Sequence, residues 1–479
     1  MTTSDGALGR FPPQIKYIIG NEACERFNYY GVRSILALYI STVLFKHLPE
    51  GTAKDHATAI IHTFIFANYF TPLLGAWLSD KLWGRYKTIL YLSLVYCLGN
   101  AVLALGVGSL WGLYAGLALV ALGSGGIKPC VSAFCGDQFK PEQSPLLQKA
   151  YGLFYWSINF GSFFSFLVIP WVKDEAGYRW AFGIPGIFMF TATLIFWLGR
   201  RHYTRIPPSR ETGSAGFFRV TWYAIRNHSK RKPGQTIWDV ALDRFKPHEV
   251  EAARSVGPIL LVFAPITVFW ALFDQTTSTW VLQGNQMEPV HLVKNLWIKA
   301  EQMQSMNPAL VMILVPLLTF VVYPAIERMG WRVTPLRRMS TGMFLAAFSY
   351  VVVAMLQAKI DGGARLSVLW QTLPYFILTT AEVLVSATGL EFAFTQAAPE
   401  MKSTIMSFWL LTVAVGNLYV PLITKAIGVL APAQPGLNAT GHAVSPSTFL
   451  FYAVLTFVTA IVFAIIAARY KERTPHNQA

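Results

Sequence analysis

The sequence predicts an all-α polytopic membrane protein whose twelve helices form two six-helix bundles. Hydrophobic residues make up 54% of the 479 positions and charged residues only 13%, whereas soluble domains carry about 25% charged residues. Apolar runs of about 20 residues, the length that crosses a bilayer, recur along the chain. One long polar stretch near the middle separates these runs into two sets of six, a division typical of six-plus-six transporters.

Twelve apolar runs are long enough to cross the hydrocarbon core of a membrane. They lie near residues 15–45, 55–80, 86–107, 110–136, 147–172, 181–199, 255–283, 305–328, 336–358, 367–398, 403–430 and 447–469. The polar stretch between the sixth and the seventh run divides the chain into three predicted parts. These are an N-terminal bundle over 1–202, a cytoplasmic basic linker over 203–254, and a C-terminal bundle with a short tail over 255–479.

The loops after the even-numbered runs and the C-terminal tail carry clusters of basic residues: Lys81, Arg85 and Lys87; Arg200, Arg201 and Arg205; Arg328, Arg332, Arg337 and Arg338; Arg469, Lys471 and Arg473. The opposite loops carry scattered pairs at most. Because basic residues accumulate in cytoplasmic loops, we expect a multi-pass protein of the cytoplasmic (inner) membrane with both termini in the cytoplasm. The net charge of +15 then reflects topology, and no nucleic-acid partner is expected.

The linker contains aromatic residues at helical spacing beside basic ones in the stretch 217–226, followed by the basic run Ser229-Lys-Arg-Lys232. This pattern is typical of a short amphipathic helix that lies on the anionic inner leaflet, which would make membrane lipids a partner. A solvated basic connector that simply obeys the charge rule explains the same pattern equally well. The sequence leaves both interpretations open.

The stretch 20–33 places an unusual number of charged groups inside the first apolar run. At helical spacing one face carries six polar side chains: Glu22, Glu25, Arg26, Tyr29, Tyr30 and Arg33. Each charge costs about 2.5 to 3.5 kcal/mol at the bilayer centre, so four cost on the order of 10 kcal/mol. These groups must therefore face ion-pair partners or a water-filled cavity. An ion pair within the helix, from Glu22 to Arg26, is the simpler alternative.

Four further ionisable residues lie in distant apolar runs: His62, Lys128, Asp274 and Glu382. A carboxyl group next to a Lys or Arg can alternate between an ion pair and a proton carrier, which would couple a proton to a conformational change. A histidine side chain titrates near physiological pH and could assist such a relay. The simpler alternatives are a lysine that reaches the inner surface, static salt bridges between the bundles, and a histidine that is only hydrogen-bonded.

Amide and aromatic side chains in the runs could line a binding cavity: Tyr69, Asn159, Gln275, Trp280, Gln283, Asn307 and Trp409. For each tryptophan alone a position at the membrane interface is the better expectation, and Asn307 before Pro308 could equally cap a helix. The runs contain no Ser/His/Asp order, metal-ligand spacing or nucleotide loop. We therefore expect no enzyme activity, no metal and no cofactor, the coupling ion being H⁺.

Three motifs carry a resemblance to a known family. They are Glu22-x-x-Glu-Arg-Phe-x-Tyr-Tyr-Gly31, Gly123-x-Gly-Gly-Ile-Lys-Pro-x-Val-x-x-Phe-x-Gly-Asp-Gln-Phe139 and Leu390-Glu-Phe-Ala-Phe-Thr-Gln-Ala-Ala-Pro399. The sequence thus resembles the proton-dependent oligopeptide transporters (POT/PTR) of the major facilitator superfamily, although the third motif has an extra alanine before its proline. Many bacterial members have two extra helices between the bundles. The linker is too polar to supply them, so we expect a bacterial di- and tripeptide symporter with twelve helices.

The resemblance implies roles for residues in both bundles. Proton coupling would involve Glu22, Glu25, Arg26, Arg33, His62, Lys128, Asp274 and Glu382, with the ion pairs Lys128–Glu382 and Arg33–Asp274 formed between the bundles. The amino group of a peptide would bind Asn159, Asn307 and Glu382. Its carboxylate would bind Arg26 and Lys128. The peptide's side chains would contact Tyr29, Tyr30, Tyr69, Trp280 and Trp409.

These features favour a proton-coupled symporter that imports di- and tripeptides by alternating access. A cavity with cations at one end and a carboxylate with amides at the other suits a zwitterion of limited length. The nearest alternative is the same fold carrying another small anion such as nitrate. A membrane receptor is less expected, because alternating access would use ion pairs between two bundles and a sensor would not require them.

Overall fold

The structure, a computed structural model, describes residues 11–140, 143–208, 216–293, 296–398, 401–430 and 443–470. Helices dominate these residues. Both terminal segments lie outside the described residues, and so do Pro399 of the third motif and the basic residues Lys471 and Arg473. The boundaries predicted for the three parts of the chain stay predictions.

The N-terminal half is built from six helices: α1 (Ile15–Leu38), α2 (Glu50–Phe70), α3 (Pro72–Trp77), α4 (Gly84–Leu105), α5 (Leu110–Gly136) and α6 (Ser144–Leu198). Short π-helical segments extend α1 over Tyr39–Leu44 and α3 over Leu78–Trp83. Helices α2 and α3 together form the second crossing of the membrane. Helix α6 contains the fifth and the sixth.

Within two long helical stretches, a glycine with positive φ separates neighbouring crossings. The helical stretches Glu50–Leu105 and Lys149–Arg201 contain 56 and 53 residues, so each would be about 80 Å long if straight, far more than the ~30 Å hydrocarbon core. Gly84 (φ 73°) and Gly177 (φ 80°) interrupt them. Because glycine adopts this left-handed region at no steric cost, each glycine allows the chain to turn from one crossing into the next.

The described part of the linker contains two helices, α7 (Phe217–Arg226) and α8 (Pro247–Arg254), with 3₁₀ turns over His228–Lys230 and Trp238–Asp243 between them. Helix α7 coincides with the predicted amphipathic segment, so its helical conformation is confirmed. Neither helix of the linker is long enough to cross a bilayer, which needs about 20 residues.

The C-terminal half begins with a broken seventh crossing, in which α9 (Val256–Phe263), α10 (Ile266–Phe273) and α11 (Thr279–Gly284) follow one another, with a 3₁₀ turn at Asp274–Thr277. The helical stretches on the two sides of Ala264 and Pro265 are inclined by 46°. The later crossings contain α12 (Met306–Leu317), α13 (Tyr323–Arg328), α14 (Pro335–Asp361), α15 (Thr372–Glu382), α16 (Thr388–Gln396), α17 (Lys402–Leu430) and α18 (Pro446–Arg469).

The described residues account for the twelve predicted crossings. Eight helical segments are long and apolar enough to cross a membrane, and the bent seventh crossing makes a ninth. Two of the eight, interrupted at Gly84 and Gly177, contain two crossings each. Helix α1 is the twelfth, although its charged residues lower its hydropathy. The prediction of an all-α membrane protein of twelve helices is thus confirmed.

The molecule has two distinct ends. At the linker end, Gln14 Nε2 donates a hydrogen bond to Gln138 Oε1 at 3.4 Å, and Gln138 Nε2 donates to the carbonyl oxygen of Thr204 at 3.1 Å. The opposite end, which we call the hairpin end, holds the antiparallel strands β1 (Val290–Val293) and β2 (Leu296–Ile298). Helix α1 begins at the linker end and runs toward the hairpin end.

The glycines of the second motif bring α5 directly against α2 and α3. A Cβ atom on Gly75 would lie 2.0 Å from the carbonyl oxygen of Gly126, and one on Gly125 would lie 2.5 Å from that of Asn68. No larger residue fits at these contacts, because the obstacle is backbone rather than a movable side chain. This close approach fixes the position of Lys128, which lies less than one helical turn further along α5.

Candidate functional site

A cluster of buried charges connects α1 to α5. Arg26 Nε lies 3.1 Å from Glu22 Oε1, and the Arg26 guanidinium also contacts the Glu25 carboxylate. Ser124 of α5 donates a hydrogen bond to Glu25 Oε1 at 3.2 Å. All four side chains are buried. The ion pair within the helix, from Glu22 to Arg26, is therefore present, but Glu25 and Ser124 extend it into a cluster between two helices.

Lys128 lies beside this cluster and, among the described residues, has no carboxylate within ion-pair distance. Its Nζ is 3.7 Å from the ring centroid of Tyr69 and 5.7 Å from that of Tyr29. A cation held over an aromatic face in this way is stabilised by about 0.5 to 2 kcal/mol. The expected ion pair between Lys128 and Glu382 does not form in this conformation, because Tyr69 holds the ammonium and other groups hold the carboxylate.

Glu382 is bound by an amide of its own half. Asn307 Nδ2 donates a hydrogen bond to Glu382 Oε2 at 2.6 Å and another to Thr379 Oγ1 at 3.2 Å. Among the described residues no donor contacts the second carboxylate oxygen of Glu382. Asn307 thus contacts a carboxylate and makes no capping hydrogen bond at the start of α12, and Glu382 keeps one oxygen available to a ligand.

Arg33 and Asp274 form the expected ion pair between the halves. Arg33 Nη2 donates to Asp274 Oδ1 at 2.9 Å and to Thr277 Oγ1 at 3.0 Å. The side chains of Arg33 and Asp274 are only 4% and 6% exposed. Asn417 Nδ2 of α17 donates to the other carboxylate oxygen of Asp274 at 2.7 Å. Both oxygens of this carboxylate are therefore occupied, one by each half of the molecule.

His62 of α2 continues this network. Its Nδ1 lies 2.7 Å from Asn417 Oδ1, and its Nε2 lies 2.8 Å from Ser278 Oγ. Because the amide oxygen of Asn417 can only accept, Nδ1 carries the hydrogen of a neutral His62, and Ser278 then donates to Nε2. We call this continuous chain of hydrogen bonds, formed by Arg33, Asp274, Asn417, His62 and Ser278, the latch.

A cavity of about 190 Å³ lies between the halves beside the latch. Seven of the predicted residues line it: Tyr30, Arg33, Tyr69, Asn159, Asp274, Asn307 and Glu382. Aromatic side chains form much of the remaining wall. The volume is below the roughly 300 to 1,000 Å³ of typical ligand sites, so the halves must separate before a molecule of peptide size can enter.

The other residues predicted to bind a peptide lie behind this lining. Trp280 is fully buried in the C-terminal half, with ring centroids 5.8 Å from Tyr350 and 4.9 Å from Tyr375. Trp409 is buried against Trp270, a lining residue, at 6.3 Å. Neither tryptophan is among the lining residues of the cavity in this conformation, and their contact with a peptide stays a prediction.

Three residues of the N-terminal half also lie outside the cavity lining. Tyr29 is buried, and the guanidinium carbons of Arg26 and Arg33 lie 5.5 and 5.4 Å from its ring centroid. Arg26 is engaged by its two carboxylates, and Lys128 is positioned over the ring of Tyr69, which does line the cavity. In this conformation none of the three is in place for the peptide contact expected of it.

Sequence reasoning did not single out several residues of the site: Tyr155, Phe166, Trp270, Phe273, Thr277, Ser278, Gln304 and Asn417. One of them left a recognisable signal. Asn417 is the only amide in the otherwise apolar segment Val-Ala-Val-Gly-Asn417-Leu-Tyr-Val, and a lone polar group in a membrane helix seeks a partner inside the protein. The aromatic residues carried no such signal, because phenylalanine and tryptophan are common throughout this chain.

A second group of ion pairs joins the halves at the hairpin end. Lys173 Nζ of α6 lies 2.6 Å from Glu301 Oε2, and Lys299 Nζ lies 2.7 Å from Asp174 Oδ2. Burial raises the pKa of the Glu301 carboxyl above its ordinary value, and the neighbouring Lys173 opposes this shift. Gln304 Nε2 also donates to the carbonyl oxygen of Ser34 at 3.1 Å. The halves are thus held by polar contacts on this side of the cavity.

Comparison with known proteins gives consistent matches. Residues 86–431 match the family described as PTR2: POT family. Peptide transporter family 1 of Drosophila melanogaster is 40% identical over 371 residues, which cover 74% of this chain and 49% of that protein. Solute carrier family 15 member 2 of Mus musculus is 38% identical over 371 residues, which cover 74% and 50%. The chain therefore spans about half the length of the curated relatives it matches.

Solved structures match over nearly the whole chain. The in meso crystal structure of the POT family transporter PepTSo has a TM-score of 0.88 and 42% identity, covering 98% of this chain and 99% of that chain. The crystal structure of an auto-inhibited POT family peptide transporter also has a TM-score of 0.88, with 38% identity and the same coverage. These proteins are transporters and not enzymes, and their fold confirms the predicted major facilitator architecture. This chain belongs to the POT family.

Proposed function

We propose that this chain is a proton-coupled symporter that imports di- and tripeptides across the cytoplasmic membrane by alternating access. The observation that carries the proposal is the cavity between the halves, in which Glu382 keeps one carboxylate oxygen available beside Asn307. A carboxylate and an amide oxygen at one pole suit the amino group of a peptide. Relatives named as peptide transporters support this class of substrate.

The small volume of the cavity supports a cycle of closing and opening. At about 190 Å³ it is smaller than the roughly 300 to 1,000 Å³ of typical ligand sites and is therefore too small for a tripeptide. Polar contacts join the halves on the hairpin side of this cavity. Substrate would enter from that side once Arg33 and Asp274, and likewise Lys173 and Glu301, separate, and it would leave when the linker end opens.

The charge balance of the interior supports coupling to one proton. Seven carboxylate, Arg and Lys side chains of the latch, the cavity and the α1 cluster lie in the membrane region: Glu22, Glu25, Arg26, Arg33, Lys128, Asp274 and Glu382. With these seven ionised and His62 of the latch neutral, four carboxylates and three cations would leave one net negative charge. A zwitterionic peptide adds no net charge, so one bound proton makes the interior of the peptide-loaded protein neutral. A neutral interior has the lowest electrostatic cost in the low-dielectric membrane region.

Basic residues support the orientation of the protein. Arg85, Arg200, Arg205 and Arg338 lie in or beside the loops on the linker side, and cytoplasmic loops accumulate positive charge. The linker end would then face the cytoplasm of a bacterial cell, with both termini on the same side, and the hairpin end would face outward. Membrane lipids and protons would be the partners of the protein in addition to its peptides.

Uptake into proteoliposomes tests the proposal. Vesicles with an acidic outside and a negative inside should accumulate a labelled dipeptide, since one proton entering at 100 mV releases about 2.3 kcal/mol, enough for roughly 50-fold accumulation. The variant Glu25→Gln should lose this driven uptake and keep exchange of peptide across the membrane, whereas Glu391→Gln, an exposed control, should keep both.

Three outcomes would contradict the proposal. If neither a pH gradient nor a membrane potential drives accumulation of the dipeptide, the claim of proton coupling is refuted. Driven uptake of labelled nitrate that dipeptides do not inhibit would favour the alternative substrate, a small anion carried by the same fold. Specific binding of peptides without any movement across the vesicle membrane would instead favour a receptor.

A further inference from the structure

Helix α7 exposes an apolar stripe in addition to the one that packs on the protein. Its buried stripe consists of Phe217, Val220 and Ala224. A second stripe, rotated by about 130°, consists of Phe218, Trp222 and Ile225, which are 68%, 68% and 54% exposed. A connector surrounded only by water has no reason to expose three large apolar side chains in a row on one short helix.

The basic residues of α7 lie next to this exposed stripe. Arg219, Tyr223 and Arg226 follow one another at helical spacing and form the third face of the helix. Among the described residues no carboxylate lies within ion-pair distance of either arginine. The linker as a whole, residues 203–254, contains ten Lys and Arg residues against five Asp and Glu residues. This surface is therefore both apolar and positively charged.

Helix α7 sits at the depth of a membrane surface. The rings of Phe217 and Phe218 pack against Phe408 of α17, with centroid distances of 5.5 and 5.9 Å. Helix α17 has 29 residues and is about 44 Å long, so it extends roughly 7 Å beyond each side of a 30 Å hydrocarbon core. Phe408 lies about 9 Å from the first residue of α17, close to the boundary between acyl chains and headgroups.

A groove at this depth brings three arginines together. It has a volume of about 490 Å³ and is lined by Phe218, Arg219, Trp222, Tyr223, Arg226, Arg244 and Phe245. Arg244 comes from the segment before α8, and its guanidinium carbon lies 5.5 Å from the ring centroid of Tyr223. Among the residues of the linker that the structure describes, none of those lining the groove is acidic. Guanidinium groups bind phosphate oxygens in a bidentate manner, which makes an anionic phosphate group the matching ligand.

We propose that this groove, which we call the linker groove, binds the headgroup of an anionic phospholipid. The three arginines would contact its phosphate, and its acyl chains would lie along Phe218, Trp222 and Ile225. The apolar stripe beside the arginines favours a lipid over a free phosphate ion, which has nothing apolar to bury. Binding would anchor the linker, and with it the start of the C-terminal half, to one leaflet. This inference does not depend on the transported substrate.

Native mass spectrometry of the full-length protein tests this inference. The detergent-solubilised protein is equilibrated with equal amounts of phosphatidylglycerol and phosphatidylcholine, and the bound lipids are counted. The wild-type protein should prefer phosphatidylglycerol. Each basic residue near an anionic surface changes binding about fivefold, so the variant R219Q/R226Q/R244Q should lose on the order of 100-fold in this preference. All three arginines are exposed, so the variant should still fold.

A matched control variant removes the same number of positive charges from another part of the linker. The variant K230Q/R231Q/K232Q also loses three positive charges from the linker, but none of these residues lines the groove, and it should keep the preference. Brominated phosphatidylglycerol should quench fluorescence in the wild-type protein more than in W222F, which lacks the tryptophan of the groove. An unchanged preference in the groove variant, an equal loss in the control variant, or equal quenching in W222F would each overturn the inference.

Discussion

Replacing Asp274 by asparagine should open the hairpin end of the protein. The substitution preserves the size of the side chain but removes the counter-charge of Arg33, whose side chain is 4% exposed. Leaving one member of a buried ion pair without its partner costs about 3 to 5 kcal/mol. Because Arg33 regains water when the halves separate, most of this cost falls on the closed conformation. The equilibrium should therefore shift toward the open conformation by a factor on the order of 100 to 1,000.

Distance measurements between spin labels can detect this shift. Lys46 follows the first crossing and Ala364 lies between the ninth and the tenth, so both are exposed residues at the hairpin end, one in each half. Labels attached to K46C and A364C should report one short distance in the otherwise unchanged protein. In Asp274→Asn a longer distance should dominate the distribution.

Two controls separate the ion pair from a general loss of stability. The double variant R33Q/D274N leaves no buried charge unpaired, so it should populate the closed conformation more than Asp274→Asn alone. The variant Glu391→Gln breaks the ion pair with Arg338, in which Glu391 is 49% exposed, and should change the distances little because surface pairs contribute about 0 to 1 kcal/mol. Identical distance distributions in Asp274→Asn and the unchanged protein would refute the reasoning.

Two further predictions concern other contacts. Lys173→Glu or Glu301→Lys alone should open the hairpin end, and the double exchange should restore the short label distance. Gly416→Ala places a Cβ 2.3 Å from the carbonyl oxygen of Thr267 and should lower the thermal unfolding midpoint, whereas Gly257→Ala, in open space, should not.

The fold was predictable because it rests on properties that each residue carries by itself. Apolar runs and their length determine which segments cross a bilayer, and the polar linker marks the division between the halves. The turns between crossings were harder to predict from the sequence. The sequence showed a glycine at position 84 and another at 177, but glycine is common in this chain, and only the structure shows that these two have a positive φ and interrupt long helical stretches.

The site was predictable from the sequence to the extent that a charged side chain inside a membrane needs an ion-pair partner. Glu22, Arg26, Arg33 and Asp274 each have an ion-pair partner in the structure, as the cost of burying an isolated charge requires. Which partner a residue takes depends on the conformation and on the distances between helices, and the sequence contains neither. For this reason Lys128 contacts Tyr69 here instead of Glu382.

The residues of the latch explain how the hairpin end can be stably closed and still be able to open. Arg33, Asp274, Asn417 and His62 are all buried, and each uses hydrogen-bonding groups that water would satisfy equally well. While the chain of hydrogen bonds is complete, both carboxylate oxygens of Asp274 and both ring nitrogens of His62 have partners. Once one residue of the latch is removed, its neighbours become unpaired polar groups in a dry environment. The loss of hydrogen bonds then spreads to the other residues of the latch. A contact of this kind therefore has two stable states, one in which all its hydrogen bonds are formed and one in which water hydrates the separated groups. A change of charge at any one residue of the latch is enough to move the halves from one state to the other.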